Sequence, residues 1–149
     1  MHSNAIYDSL SHILHSPVIY IALVRHNNDE YFFCVGNHSF FIIDSQLNNV
    51  KAEVFYAHVE RIILDTSKDK LLLIQLSDNK DSGVPAKLIL DTENRYFLVE
   101  QLKSAWKTDY MFRIGNMPPL KITLTSFIRT SKRFASVSEC SISSHKTHI

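Results

Sequence analysis

Glycine is scarce in this chain: three residues in 149. Loops that cradle phosphate, such as G-x-G-x-x-G or G-x-x-x-x-G-K-S/T, need their glycines close together. Gly36, Gly83 and Gly115 are far apart, so those nucleotide-binding devices are excluded. A G-x-S-x-G nucleophile turn is excluded on the same ground. Cysteine is scarcer still. Cys34 and Cys140 stand in unlike contexts and make no disulfide framework, which points to a reducing, intracellular setting. No run approaches the roughly 18 apolar residues of a membrane-spanning helix. The opening "MHSNAIYDSL" lacks a basic stretch followed by an apolar one, so it does not read as a secretory signal.

Other features are plentiful. Apolar residues make up 45% of the chain, enough for one domain with a sizeable core. Charge is divided unevenly. Residues 1–100 carry 8 Lys/Arg against 13 Asp/Glu, and residues 101–149 carry 8 against 2. An acidic body with a basic end can attract polyanions through that end, although a solvated helix face running into a basic tail has the same composition.

Along the chain, "SNAIYDSLSHILHSP" predicts a short helix. Ser3 or Asn4 can cap it, Ile6, Leu10, Ile13 and Leu14 form its apolar stripe, and Pro17 stops it. "VIYIALVRH" is β-branched and aromatic and predicts a strand, followed by an "NNDE" turn. "EYFFCVGN" and "HSFFIIDS" predict a hairpin joined at Gly36-Asn37, residues that tolerate the positive φ of tight turns. The phenylalanines imply a sheet buried on at least one face. "QLNNVKAE" predicts a turn, and "VFYAHVERIILDT", "LLLIQLSD" and "AKLILD" predict further strands. Short strands spaced by turn residues indicate a small antiparallel barrel or sandwich.

The period then changes. "DTENRYFLVEQLKSAWKTDYMFRIG" predicts a long helix capped by Asp91 or Thr92, with Glu93 near its positive end. Leu98, Leu102 and Ala105 or Trp106 form the stripe, Phe97 and Val99 widen it, and Gly115 with Pro118-Pro119 ends it. "LKITLTSFI" can add one more strand.

A run of strands closed by one amphipathic helix resembles the pleckstrin-homology-like (PH-like) superfold. "VIYIALVRHNNDEYFFCVGNHSFFIIDS" looks like its first three strands. Within that superfold the pattern is most similar to the tail-homology domain of class I myosins. The shared features are a "VxY" start and a hairpin ending in an apolar strand closed by Asp. "VERIILDTSKDKLLLIQL" resembles the segment leading to the late strands. The likeness spans about residues 17–115. It implies a mainly β fold: a bent antiparallel barrel or sandwich of six to seven strands, closed by a C-terminal helix and preceded here by a short N-terminal one. The implied division is a helix at 1–16, the PH-like domain at 17–128, and a disordered, basic, Ser-rich tail at 129–149.

The resemblance also implies where phosphoinositide-binding relatives hold phosphate: a basic cluster around the first strand pair. Only Arg25 fits it. Asp29 and Glu30 stand where phosphates would sit, each repelling them by on the order of 1 kcal/mol. The expectation is that the usual lipid site is missing. A different basic surface, made of Arg25, Lys103, Lys107, Arg113 and Lys121, remains as a candidate for weak contact with acidic membranes.

Catalytic and metal chemistry find little support. Cys34 falls within an apolar strand, where burial makes a thiol inert. His12 and His15 share one face of the first helix, and His58 reads as a strand histidine with a hydrogen bond. Cys140, His145 and His148 give three ligands in a polar stretch, where structural zinc needs four. No enzyme activity, metal or cofactor is expected. Trp106, Tyr110 and Phe112 interleave with basic residues, but their helical spacing assigns them mainly to packing, so no nucleic acid is expected. Arg133 precedes Ser136 by three residues, which makes Ser136 a candidate phosphosite. The function expected is a non-enzymatic adaptor or scaffold module, cytoplasmic, taking a protein or peptide partner on a sheet edge or a strand–helix groove. The alternative is a peripheral membrane module using the basic surface.

Overall fold

The computed structural model describes residues 2–77, 86–115 and 120–127, with side chains from residue 5 onward. Helix α1 (His2–Leu14) leads into strands β1 (Val18–His26), β2 (Asp29–Gly36), β3 (Ser39–Asp44) and β4 (Val50–Phe55). A 3-10 turn at Tyr56–His58 precedes β5 (Val59–Asp65), β6 (Leu71–Leu76) and β7 (Lys87–Asp91). Helix α2 (Arg95–Ile114) and β8 (Lys121–Thr125) follow. The mainly β architecture with a capping helix is the one the sequence predicts. The strands form one open sheet in the order β4-β3-β2-β1-β7-β6-β5-β8. Its two halves meet at a single residue pair, Arg25 with Asp91. Side chains staple that corner: the Thr92 hydroxyl donates to the Leu23 carbonyl at 2.9 Å and the buried His26 Nδ1–H to the Ile89 carbonyl at 3.0 Å.

Both halves of the sheet and α2 share one inner core, in which Phe33, Phe40, Tyr56, Ile62, Leu72, Leu90, Leu98 and Leu102 are buried. A second, smaller core lies on the other face of β1–β3, where Leu10 of α1 covers Cys34, Phe41 and Ile43. Strands β2 and β3 are therefore buried on both faces, whereas the outer face of β1 stays exposed at Ile19 and Leu23. Successive side chains point to opposite faces, so "FFCV" and "FFII" supply one core with Phe33, Val35, Phe40 and Ile42 and the other with Cys34, Phe41 and Ile43. Helix α1 is tied down by polar contacts as well. The Ile21 N–H donates to the Tyr7 hydroxyl at 3.0 Å, and the Val18 N–H donates to Ser11 Oγ at 3.2 Å.

Several local expectations are corrected. Helix α1 begins at His2, ahead of both expected caps, and Ile13 is exposed. The β2–β3 hairpin turns at Asn37-His38, one residue later than expected because Gly36 ends β2, and it has no positive φ. Gly36 is needed for space, because a Cβ would lie 2.9 Å from the Ser39 carbonyl oxygen. Positive φ belongs instead to Asn27 and Asn28, the two-residue turn between β1 and β2. The expected "QLNNVKAE" turn shrinks, because β4 starts at Val50. Asp44 Oδ1 closes that turn by accepting the Asn48 and Asn49 N–H groups at 2.7 and 2.8 Å.

The expected single strand "VFYAHVERIILDT" is broken at Tyr56–His58, which places His58 in a 3-10 turn rather than a strand. The cause is an anchor: the Tyr56 N–H donates to the His38 carbonyl at 3.0 Å and its hydroxyl to the Gly36 carbonyl at 2.8 Å, which forces a corner. The described residues consequently hold eight strands rather than six or seven. One of them, β8, pairs with β5 in parallel, a departure from an all-antiparallel sheet. Asp91 lies in β7 and Thr92 binds β1, so the residue at the α2 N-cap is Asn94, without a side-chain cap bond. The end at Gly115 is as expected, with φ +89° and its N–H on the Met111 carbonyl at 2.9 Å. The predicted tail at 129–149, with Ser136, Cys140, His145 and His148, lies outside the described residues.

Candidate docking cleft

Helix α2 spans the inner core with Leu98, Val99, Leu102, Ala105 and Trp106. Its neighbouring flank carries Phe97, Gln101, Ser104, Thr108 and Phe112, spaced by threes and fours and therefore aligned in one stripe. The sequence pattern assigns Phe97 and Phe112 to packing. They are instead 56% and 79% exposed. The stripe runs beside the first half of β1, whose Ile19 is 45% exposed. Between them lies a cleft of about 320 Å³, lined by Ile19, Ala105 and Phe112 and by the neutral polar groups of Asn37, Gln101, Ser104 and Thr108.

The floor of the cleft is an ion-pair network. Asp109 is buried on α2. Its Oδ1 accepts the His38 Nδ1–H at 2.7 Å, and its Oδ2 accepts the Arg113 Nε–H at 2.7 Å. A buried carboxylate is tolerable only when it is paired and hydrogen-bonded, and here the Arg113 guanidinium comes from the same helix and the His38 N–H donor from the β2–β3 turn. The network locks the C-terminal half of α2 onto that turn. It also fixes the wall of the cleft: the His38 ring lies 5.7 Å from the Phe112 ring, and the Arg113 guanidinium stacks 5.5 Å from the Tyr110 ring centre. His38 is the site residue that pattern reasoning passed over. Its signal was the "GNHS" turn, read only for its backbone.

The basic residues singled out from sequence are placed as follows. Lys103 and Lys107 lie one turn apart on the exposed side of α2, and Lys103 bonds Glu100 at 3.4 Å. Arg113 is engaged by Asp109. Arg25 is the penultimate residue of β1, opposite Glu30 on β2 and Asp91 on β7. Lys121 is on β8, in register with Arg61 of β5. Three of the five thus sit on α2 and the other two on β1 and β8, and two of the five are paired with carboxylates on α2 itself.

Two other places fit a ligand poorly. The groove between β5 and α2 is filled by the chain itself, since Leu120 and Ile122 pack on the inner core there. The residual cavity of about 10 Å³ beside Trp106 holds at most one water. Cys34 is fully buried, and burial pushes its thiol up to about 12, so the thiolate is absent at neutral pH. Among the described residues no three His, Cys, Asp or Glu side chains cluster as metal ligands. No helix of the described residues is long and apolar enough to cross a membrane.

No family model and no curated protein matches the chain. Solved structures do. A C-terminal domain of an unknown protein from Leishmania infantum matches at TM-score 0.51 and 10% identity, over 71% of this chain and 98% of that one. The complex of the FERM and C-terminal domains of Drosophila Merlin matches at TM-score 0.51 and 17% identity, over 63% of this chain and 30% of that one. The hSac2 domain of the human phosphoinositide phosphatase Sac2 matches at TM-score 0.51 and 13% identity, over 81% of this chain and 86% of that one. At these identities the likeness is one of fold.

Proposed function

We propose that this chain is a non-enzymatic PH-like docking module, cytoplasmic, that binds a protein or peptide partner as an adaptor. The observation that carries the proposal is the α2 flank. A helix that turns Phe112 to solvent beside an exposed Ile19, with Phe97 exposed further along the same stripe, leaves apolar surface whose burial is favourable, and such surface marks interaction sites. The fold likeness to a FERM-domain complex and to the hSac2 domain is compatible with an interaction module, and kinship with the class I myosin tail-homology domain rests on sequence pattern alone. The non-enzymatic reading is supported by the burial of Cys34 and by the engagement of both Asp109 oxygens.

The second reading is weak contact with an acidic membrane through basic residues. Exposed Met111 and Ile114 near Lys107 and Arg113 favour it. The carboxylates of Glu30 and Asp91, in register with Arg25 on the two neighbouring strands, disfavour it at the position where relatives hold phosphate. Proximity labelling in cells separates the readings. We expect a set of labelled proteins that disappears with Phe97→Ser/Phe112→Ser while circular dichroism and melting temperature stay unchanged. Unaltered labelling, or sub-micromolar binding to phosphoinositide vesicles at physiological salt, would overturn the proposal.

A further inference from the structure

We infer that the partner presents an acidic amphipathic helix, with a large apolar side chain seated between Ile19 and Phe112 and carboxylates facing Lys107 and Lys103. The inference rests on the docking reading above and adds the partner's chemistry.

The edge of β1 decides the form of the ligand. Strand β1 pairs with β7 only at Arg25, so its first half has a sheet edge open to addition of a strand. Two of the groups an added strand would use are already taken: the Ile21 N–H is held by the Tyr7 hydroxyl, and the Leu23 carbonyl accepts from Thr92. A ligand in this seam must therefore be recognised by side chains rather than by backbone ladders, which is how a helix lies in a groove. The stripe from Phe97 to Phe112 is about 22 Å long at 1.5 Å per residue, the reach of a helix of about 15 residues.

Charge complementarity decides the composition. Between Gln101 and Gly115 the only carboxylate is Asp109, and it is buried and paired twice, while Glu100 just before shares Lys103 at 3.4 Å and leaves Lys107 the less compensated of the two lysines. Solvent on that half of α2 meets Lys103 and Lys107. Lys107 stands three residues after Ser104 of the stripe, and so beside it. The opposite end of the seam differs. There a second cleft of about 220 Å³ is lined by Leu23 and Asn94, with Glu30, Asp91 and Glu93 outnumbering Arg25. A ligand that is acidic throughout is repelled at that end, so its carboxylates belong at the Phe112 end, and the unequal ends set its direction. The concave, hydrogen-bonding lining of Gln101, Ser104 and Thr108 suits side chains entering a cleft better than it suits a flat lipid surface.

The test is selection of a displayed library of random 16-residue peptides on the full chain, followed by affinity measurement of the synthesised winners. We expect winners with net negative charge and apolar residues at three- and four-residue spacing. Phe112→Ser should weaken them about 10-fold, as loss of an apolar anchor does. Lys103→Glu/Lys107→Glu should weaken them to a similar degree, and more so at low salt. Lys51→Glu on β4, away from the seam, should leave binding unchanged. All three target positions are exposed, so the variants should fold. Neutral or basic winners that still depend on Phe112 would overturn the acidic class while sparing the docking reading. Winners indifferent to Phe112→Ser, or no winners, would overturn both. Phe112-dependent binding to phosphatidylserine vesicles, or a Phe112-dependent dimer in sedimentation, without competition by the peptides, would replace the helix with a membrane or with a second copy.

Discussion

The two flanks of α2 belong to one helix, have similar residue types at their anchor points, and end in opposite situations. Leu98, Leu102, Ala105 and Trp106 are buried against the sheet, whereas Phe97 and Phe112 face water. Helical periodicity cannot separate them, because an apolar stripe broad enough for a small domain also covers the neighbouring angle. The difference lies in what the sheet sets opposite. The inner flank meets the concave side of both sheet halves. The outer flank meets the seam where β1 and β7 part, and nothing among the described residues closes it.

The comparison can be broken or sharpened in order of effect. Leu102→Ala should be the most damaging change on the helix, costing about 2–4 kcal/mol in a denaturant titration, because it empties a site in the inner core. A loss near that of a surface substitution would mean the inner flank does not pack. Asp109→Ala should cost about 1–3 kcal/mol, since it removes a buried acceptor from the His38 ring and the Arg113 guanidinium and frees the helix end from the β2–β3 turn. It should also lower the affinity of any ligand that uses Phe112, through loss of wall position.

The other face of the sheet offers a pH test. The folded Cys34 thiol ionises only near about 12, against an ordinary value of 9.0. The unfolded chain therefore loses that proton first, and stability falls as pH rises from 9.0 towards about 12. By pH 10 the loss attributable to this thiol is on the order of 1 kcal/mol, and Cys34→Ala should show a flatter alkaline decline in melting temperature than the wild type. An identical slope would place Cys34 in contact with solvent. The smallest effects belong to the outer flank: Phe112→Ser and Lys103→Ala should each change stability by less than about 0.5 kcal/mol. A cost for Phe112→Ser comparable to that for Leu102→Ala would erase the distinction between the flanks and remove the docking surface with it.

Much of the fold was legible in the residues, and the misses share a cause. The three-strand run from Val18, the helix over the nineties to Gly115, and the stop at Gly115 were readable from local chemistry. The corner at Tyr56 was not, because it depends on Gly36 and His38 nearly twenty positions away. The α2 cap was misplaced because Thr92, a good capping residue, is drawn to the Leu23 carbonyl of β1. The candidate site was barely legible. His38 meets Asp109 across 71 residues, and no spacing rule relates a turn histidine to a helical aspartate that distant.

The sequence by itself determined which segments are strands and which is the long helix, since period and turn chemistry act over a few residues. It also determined that the first three strands would be apolar enough for burial, that no glycine-rich phosphate loop exists, and that the cations concentrate late in the chain. Only the tertiary structure decided that β8 returns in parallel to fill the edge of β5, that Tyr7 and Thr92 block the edge of β1, and that Phe112 is left outside while Leu102 goes in. Those outcomes depend on which surfaces meet after the sheet bends. Burial is a property of pairs of surfaces, and a periodic pattern along one of them cannot say where the other stops.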